Sequence, residues 1–461
     1  MVFSSLIFIF AYLAITLFVY YITPLRWRNL VLFIVSLAFY GWGEPKYIIL
    51  MLVSIISAYA FGFGIEKYRK EDKTVAKWLL FASLAVNLSF LLFFKYYNFF
   101  AENIGFDMIE DLTLPVGISF YTFQIMSYSI DLYRGEVPLA KKFVPFGTYV
   151  TLFPQLIAGP IVRYKDVCDQ LENRKETVSK FASGVSRFVT GLGKKLILGD
   201  AAAALAEYFE TAGGFAPTVI GSWAVMLFYT FHIYFDFSGY SDMAIGLGRM
   251  LGFEFVENFN YPYIAKSITD FWRRWHITLS TWFREYIYIP LGGNRVGKVR
   301  GFLNLLTVWL LTGFWHGADW NYIIWGLYFW VFLVIEKAFL GKLLKKIAPI
   351  AHIYSLFIIG FGWMIFFHND IGEILVYLKQ IFGIGTAFSS SSVWNEVIRV
   401  LPFIAVCILA CTPLPRRLFE KAEEKFTFVT ALKPFAITLL FTVCIAYMVD
   451  NSFSPFLYYI F

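Results

Sequence analysis

The sequence predicts an all-α, polytopic membrane protein, and three observations carry that prediction. Hydrophobic residues fill 59% of the 461 positions and aromatics 21%, while only 15% are charged. Soluble domains carry about 25% charged residues. Apolar stretches near the length of about twenty residues needed to cross a ~30 Å hydrocarbon core recur along the chain. Lys and Arg gather in alternate loops, the pattern of positive-inside topology. Once the spans are placed, no long stretch of soluble composition is left. Residues 1–461 therefore read as a single membrane domain, with N-terminal spans over 1–110, a core over 111–330 and C-terminal spans over 331–461. The net charge of +7 comes from basic residues scattered among the loops, which fits cytoplasmic loops beside lipid headgroups and not a nucleic-acid surface.

The first span, 3–22, follows no basic n-region and shows no small-residue cleavage site, so it reads as a retained helix and not a signal peptide. Basic loops after it (Arg26, Arg28) and over 66–77 belong in the cytoplasm, which places the N-terminus outside and predicts spans near 30–42, 47–65 and 76–98. The 101–111 loop has no Lys or Arg and lies outside. Residues 114–132 return inward. Residues 143–161 are apolar, but Arg163, Lys165, Arg174, Lys175 and Lys180 follow them and Pro154 and Gly159-Pro160 break them. A re-entrant segment avoids exporting that charge, and irregular backbone is tolerated at membrane depth where protein buries it. Further spans are predicted near 190–210, 217–237, 302–317, 320–336, 353–368, 396–412 and 434–449. The total is about 11–12 spans with both termini outside. No inverted repeat of the transporter kind is visible.

Residues 258–300, within a long cytoplasmic stretch from about 240 to 300, do not read as a span and carry the chemistry. Phe271, Trp272, Trp275, Leu279, Trp282, Phe283 and Tyr286 recur at three- and four-residue spacing, interleaved with Asp270, Arg273, Arg274 and Arg284. This predicts one amphipathic interfacial helix over 267–286, started by Ser267 or Thr269 and containing His276. Arg273, Arg274, Lys298 and Arg300 would form an electropositive cytoplasmic mouth for an anionic, phosphate-bearing donor such as a coenzyme A thioester. Leu291-Gly-Gly-Asn-Arg-Val-Gly297 is a turn in which Gly292 and Gly293 permit left-handed backbone.

His316 is the most informative residue. It ends an apolar run that starts near Phe302, and fourteen residues at a helical rise of about 1.5 Å place it roughly 21 Å into the bilayer. Polar groups at that depth are costly and mark function. A neutral imidazole suits general-base work, taking a proton from a hydroxyl as it attacks a thioester carbonyl. Asp236 and Asp242, in the polar end of a span after His232, are expected to pair with basic residues or line a cavity. His352 and His368 sit at span ends, where an interfacial role suffices. Cys407 and Cys411 lie four apart on an apolar helix and read as small buried side chains, and neither a disulfide framework nor a metal site is expected.

These residues resemble the membrane-bound O-acyltransferase family and, within it, the membrane subunits of bacterial alginate O-acetyltransferases. The resemblance rests on Leu114-Pro-Val-Gly-Ile-Ser-Phe-Tyr-Thr-Phe-Gln124, Phe153-Pro-Gln-Leu-Ile-Ala-Gly-Pro160, the stretch 235–248 and Glu257-Asn-Phe-Asn-Tyr-Pro-Tyr263. Its most specific parts are Asp270 to Arg284, Tyr288-Ile-Pro-Leu-Gly-Gly-Asn-Arg295 and Gly313-Phe-Trp-His-Gly317. It implies helices around a central tunnel in a bacterial cytoplasmic membrane. His316 and His276 would be catalytic, with Asp236, Asp270, Trp272, Trp315 and Asn294 in support. The donor would be acetyl-CoA or another thioester, with no permanently bound cofactor. The acetyl group would pass to a secreted or membrane-tethered SGNH-type acetyltransferase that esterifies a polysaccharide. D-alanyl transfer to a cell-wall polymer and a non-catalytic transporter are the alternatives, and His316 as base or as acyl carrier stays open at this level.

Overall fold

The structure, a computed structural model, describes residues 1–211 and 217–450. Its helices in chain order are α1 (Ala14–Ile22), α2 (Arg28–Gly43), α3 (Ile48–Glu71), α4 (Lys73–Ile104), α5 (Ile118–Arg134), α6 (Phe143–Thr151), α7 (Phe153–Leu156), α8 (Tyr164–Asn173), α9 (Val178–Gly193), α10 (Asp200–Glu210) and α11 (Val219–Met250). There follow α12 (Ile268–Trp272), α13 (Ile277–Phe283), α14 (Lys298–His316), α15 (Trp320–Ile335), α16 (Gly341–Leu344), α17 (Ala348–Phe367), α18 (Ile371–Ile381), α19 (Ser391–Ala410), α20 (Leu414–Lys425) and α21 (Thr427–Asp450). They fall into two compact units. Among the described residues, one comprises 1–189 with 240–257, the other 190–211, 217–239 and 258–450.

Six helical stretches among the described residues are long and apolar enough to cross a membrane: Pro45–Glu71, Lys73–Ile104, Trp320–Leu344, Ala348–Phe367, Ser391–Ala410 and Thr427–Asp450. Other expected crossings fall on shorter helices such as α2 and α5, or on α11, which is buried along most of its length. At 16 and 17 residues α2 and α5 fall short in length, while burial in protein relaxes the demand for apolarity on α11.

In the first unit, α3 and α4 form a hairpin and α5 packs on both. Asp72 caps α4 by accepting from the Thr74 and Val75 amides at 2.8 and 3.2 Å, and Gly105 ends it in the left-handed conformation. The segment after Phe143 forms only the nine-residue α6 and four-residue α7, too short to cross a bilayer, and the irregular chain to Val162 is buried. Gly117, at φ 75°, sits against this segment, where an added Cβ would lie 2.7 Å from the Leu156 carbonyl oxygen. Two of the motif stretches thus touch backbone to backbone. The Tyr149 hydroxyl donates to the Gln124 and Val162 carbonyls, both at 3.1 Å. Arg187 holds Asp242 at 2.6 Å and Glu257 at 2.6 Å, so Asp242 pairs with a basic residue as expected.

In the second unit, α14 and α15 form a tight hairpin, α15 packs on α17, and α12 lies against both α15 and α17. An added Cβ at Gly313 would collide with the Tyr322 carbonyl, and one at Gly326 with the Trp309 carbonyl, so two glycines set the closeness of the hairpin. The segment 267–286 departs from the single amphipathic helix predicted. Ser267 does start α12, accepting from the Asp270 amide at 3.0 Å, but the helix stops at Trp272 and restarts at Ile277. A π-helical turn, Arg284–Tyr288, follows. The aromatic stripe also faces protein and not lipid, since Phe271, Trp275, Leu279, Trp282, Phe283 and Tyr286 are all buried.

Candidate active site

His276 occupies the break between α12 and α13, and its φ of 42° explains the break. Left-handed backbone is uncommon for a residue with a Cβ and persists where surroundings over-determine it. Here the 258–260 strand-like loop supplies the surroundings. Its Asn258 carbonyl accepts from the Ile277 amide at 2.9 Å, and its Asn260 amide donates to the Arg274 carbonyl at 2.9 Å. The fully buried Asn258 side chain completes the clamp. Its Oδ1 accepts from the Thr278 amide at 3.3 Å and the Thr278 hydroxyl at 2.8 Å, and lies 3.0 Å from His276 Nδ1.

That geometry fixes the tautomer of His276. The Thr278 amide can only donate, so the atom facing it is the amide oxygen of Asn258, and Nδ1 must carry the proton toward the same oxygen. The lone pair is then on Nε2. Burial pushes the imidazole down to about 3, so it is neutral at physiological pH. Phe237 stands edge-on to the ring at 4.8 Å, and Trp315 lies 6.1 Å away.

His316 is the last residue of α14 and is buried. Its ring is walled by Trp315 (5.1 Å, 76°), Trp325 (5.1 Å, 81°) and Phe366 (5.5 Å, 83°). Trp315 thus touches both imidazoles. Trp272 extends the same aromatic cluster, 5.5 Å from Trp325 and 4.7 Å from Trp309. The structure therefore gathers His276, His316, Trp315 and Trp272 into one buried cluster.

The remaining expected residues stand elsewhere. Arg273, Lys298 and Arg300 are exposed, the last two in the first turn of α14. Arg274 is committed to Asp270 at 2.9 Å and to the Asn260 carbonyl at 3.3 Å. Asn294, also exposed, accepts from the Tyr288 hydroxyl at 2.8 Å and from Lys337 at 3.0 Å, tying the glycine turn to the end of α15. Within that turn Gly292 and Gly293 have φ of 108° and 54°, the freedom expected of them. Asp236 lies 3.3 Å from Lys195, whose ammonium also holds Asp200 at 2.7 Å. His232 meets the Gly199 carbonyl at 3.0 Å and His352 the Ala265 carbonyl at 3.1 Å.

Three residues central to this architecture carried little signal in the sequence. Lys195 follows Lys194 near the start of a predicted span, where a lysine that snorkels to the interface needs no partner. Asn258 gains its role from contacts 18 and 20 residues away. Glu336, a buried carboxylate ending an apolar run, accepts from the Ile268 amide at 2.6 Å, the Thr269 amide at 2.9 Å and the Thr269 hydroxyl at 2.6 Å. It thereby holds the first turn of α12, where negative charge is favoured. An acid inside an otherwise apolar span was the one available hint.

Comparison with known proteins assigns the relationship. The model of the membrane-bound O-acyltransferase family matches residues 140–367, which include both histidines. The chain is 42% identical over 396 residues to a probable alginate O-acetylase AlgI of Pseudomonas aeruginosa, covering 84% of this chain and 76% of that protein. It is 43% identical over 376 residues to the protein of the same name from Azotobacter vinelandii, covering 79% and 75%. A peptidoglycan O-acetyltransferase of Helicobacter pylori aligns over 100% of this chain and 97% of its own length at 31% identity. With an all-helical polytopic fold and a buried two-histidine cluster inside the matched segment, the chain belongs to the membrane-bound O-acyltransferase family.

Proposed function

We propose that this acyltransferase takes an acetyl group from a cytoplasmic thioester, acetyl-CoA, and delivers it across the bacterial cytoplasmic membrane for O-acetylation of a polysaccharide. The observation that carries the reading is the placement of His316 at one end of α14 and of Lys298 and Arg300 at the other. Eighteen helical steps of about 1.5 Å separate Lys298 from His316 by roughly 27 Å, close to the thickness of a hydrocarbon core. Basic side chains at the cytoplasmic end, with Arg273, would attract the phosphates of the donor, while the acyl group reacts in the aromatic cage beyond.

In the transfer step His316 takes the proton of the acceptor hydroxyl, the oxygen bonds to the thioester carbonyl, the carbon–sulfur bond breaks, and the proton passes to the departing thiolate. The acceptor hydroxyl belongs to an SGNH-type acetyltransferase on the outer side, which passes the group to the polymer. The names of the relatives, an alginate O-acetylase and a peptidoglycan O-acetyltransferase, support an acetyl group and a surface polysaccharide. Both termini lie outside on this reading.

The test is His316→Ala expressed in the cell, its membrane insertion checked, with polymer acetylation measured by mass spectrometry of the cell surface. Acetylation at the wild-type level would sink the reading. Rapid mixing of wild type with acetyl-CoA alone separates two chemistries. A base gives no burst of free thiol without acceptor, whereas an acyl-histidine gives one equivalent per protein.

A further inference from the structure

A second site lies in the same unit, outside the histidine cluster. The end of α10, the start of α11, the residue after α17 and the first turns of α18 enclose a cavity of about 530 Å³. Its walls include Phe209, Glu210, Thr218, His368, Glu373 and Tyr377. The volume falls within the range of small-ligand pockets, about 300–1,000 Å³. His368 is 9% exposed, and its Nε2 is buried without a hydrogen-bond partner. Its Nδ1 stands 3.9 Å from Glu210 and 3.9 Å from Glu373, so the imidazole lies near both carboxylates without hydrogen-bonding either.

Several amides at the helix termini around the cavity are already taken. The Gly372 and Glu373 amides of α18 are taken by Asp370 at 2.6 and 3.2 Å. The Val219 and Ile220 amides of α11 are taken by the Ala387 and Phe388 carbonyls at 3.0 and 3.1 Å. The Gly221 amide is taken by the Thr218 hydroxyl at 3.0 Å, and the Tyr377 hydroxyl donates to the Ser222 carbonyl at 2.5 Å. Among the described side chains lining the cavity, Glu210 and Glu373 are the anionic ones, beside the polar Gln380 and His368. Among the described residues no group of three His, Cys, Asp or Glu side chains is arranged to hold a metal ion. Apolar walls with carboxylates at one side suit a cation on an aliphatic stem.

We propose that this cavity binds an organic cation, an ammonium or guanidinium group, seated between Glu210 and Glu373 with its stem against Phe209 and Tyr377. The carboxylates repel each other when the cavity is empty. Burial and the neighbouring Glu373 and Glu207 push Glu210 up to about 7, which favours its neutral form, and a cation seated beside it would favour the carboxylate instead. The site has a place in the architecture as well. Phe366 walls His316, and His368 stands two residues further along the same chain. The cation comes either from a free amine or from a basic side chain of a partner polypeptide. The proposal does not depend on the acyl-transfer reading.

The test is calorimetric titration of the full chain in lipid nanodiscs at pH 8 with n-butylguanidinium, its neutral isostere n-butylurea, and an arginine tripeptide beside its citrulline analogue. Saturable binding of a cationic probe, at least about tenfold tighter than its neutral isostere, is expected, and about tenfold weaker binding in Glu210→Gln/Glu373→Gln. Binding by butylguanidinium points to a free amine as sufficient, and binding by the tripeptide alone points to a partner segment. Equal binding of cation and isostere, no saturable heat with either cation, or undiminished binding in the double variant overturns the proposal. Size-exclusion elution at the wild-type volume guards against misfolding of the variant. His316→Ala is expected to bind the cations as wild type does, so loss of acyl transfer and loss of this site are read separately.

Discussion

Replacing Asn258 with alanine removes one oxygen that receives three donors, at 2.8, 3.0 and 3.3 Å. A carbonyl oxygen has two lone pairs, so the three contacts count as roughly two full hydrogen bonds, worth about 1–3 kcal/mol net. Two buried donors, His276 Nδ1–H and the Thr278 amide, would lose that acceptor, which adds about 1–3 kcal/mol. The sum centres near 4 kcal/mol, roughly a thousandfold in the equilibrium between the clamped and opened segment. Hydrogen exchange of the 276–280 amides, followed by mass spectrometry, reads that opening directly. Asn258→Ala is expected to lose about a thousandfold of protection there, together with most acyl transfer. Asn258→Asp keeps the acceptor but adds a charge, which raises the His276 pKa and favours the imidazolium. Protection of the 276–280 amides unchanged in Asn258→Ala would refute the clamp and with it the tautomer assigned to His276.

Further outcomes follow from the same geometry. Glu336→Ala strips three hydrogen bonds from the start of α12 and is expected to cost about 3 kcal/mol, with Glu336→Gln costing less; apparent Tm by tryptophan fluorescence orders the two. Gly313→Ala forces apart α14 and α15 and is expected to cost about 1–3 kcal/mol, read as reduced Tm and reduced activity. The stability of the fold is expected to fall on acidification from roughly pH 6.5 to about 3, because the unfolded His276 takes up a proton that the folded one refuses until about 3. The depressed pKa thus gives stability that is present above the unfolded value and lost as pH falls. His276→Gln should flatten that part of the pH profile in a denaturant titration.

The legible part of this protein was its local physics. Apolar runs marked α3, α4, α17, α19 and α21, and Ser267 marked the start of α12. Gly292 and Gly293 take the left-handed backbone their turn suggested. Asp236 and Asp242 found the basic partners that buried carboxylates need, Lys195 and Arg187. The illegible part depended on distant chain. A helical period ran unbroken through 267–286, yet His276 turns left-handed because Asn258 and the loop behind it bond the backbone on its far side. Periodicity reports which face is apolar and is blind to a clamp applied from 18 residues away. The same limit hid Glu336, whose capping role exists only once α15 lies beside α12. His316 was visible as a costly residue, but that it ends its helix inside a wall of two indoles and a phenyl ring is a tertiary fact.

Trp315, lying against both imidazoles, has a consequence for the cell's energy supply. A protein that admits substrates from two compartments risks letting protons run between them, and each charge moving down 100 mV dissipates about 2.3 kcal/mol. Trp315 stands edge-on to both imidazoles, 6.1 Å from His276 and 5.1 Å from His316, so on the proposed route its ring borders the line a proton would follow. An indole N–H donates a hydrogen bond but has no lone pair to accept a proton, so on that route the wall around the acyl site would also act as electrical insulation. An enzyme built this way can work continuously in an energised membrane without short-circuiting it.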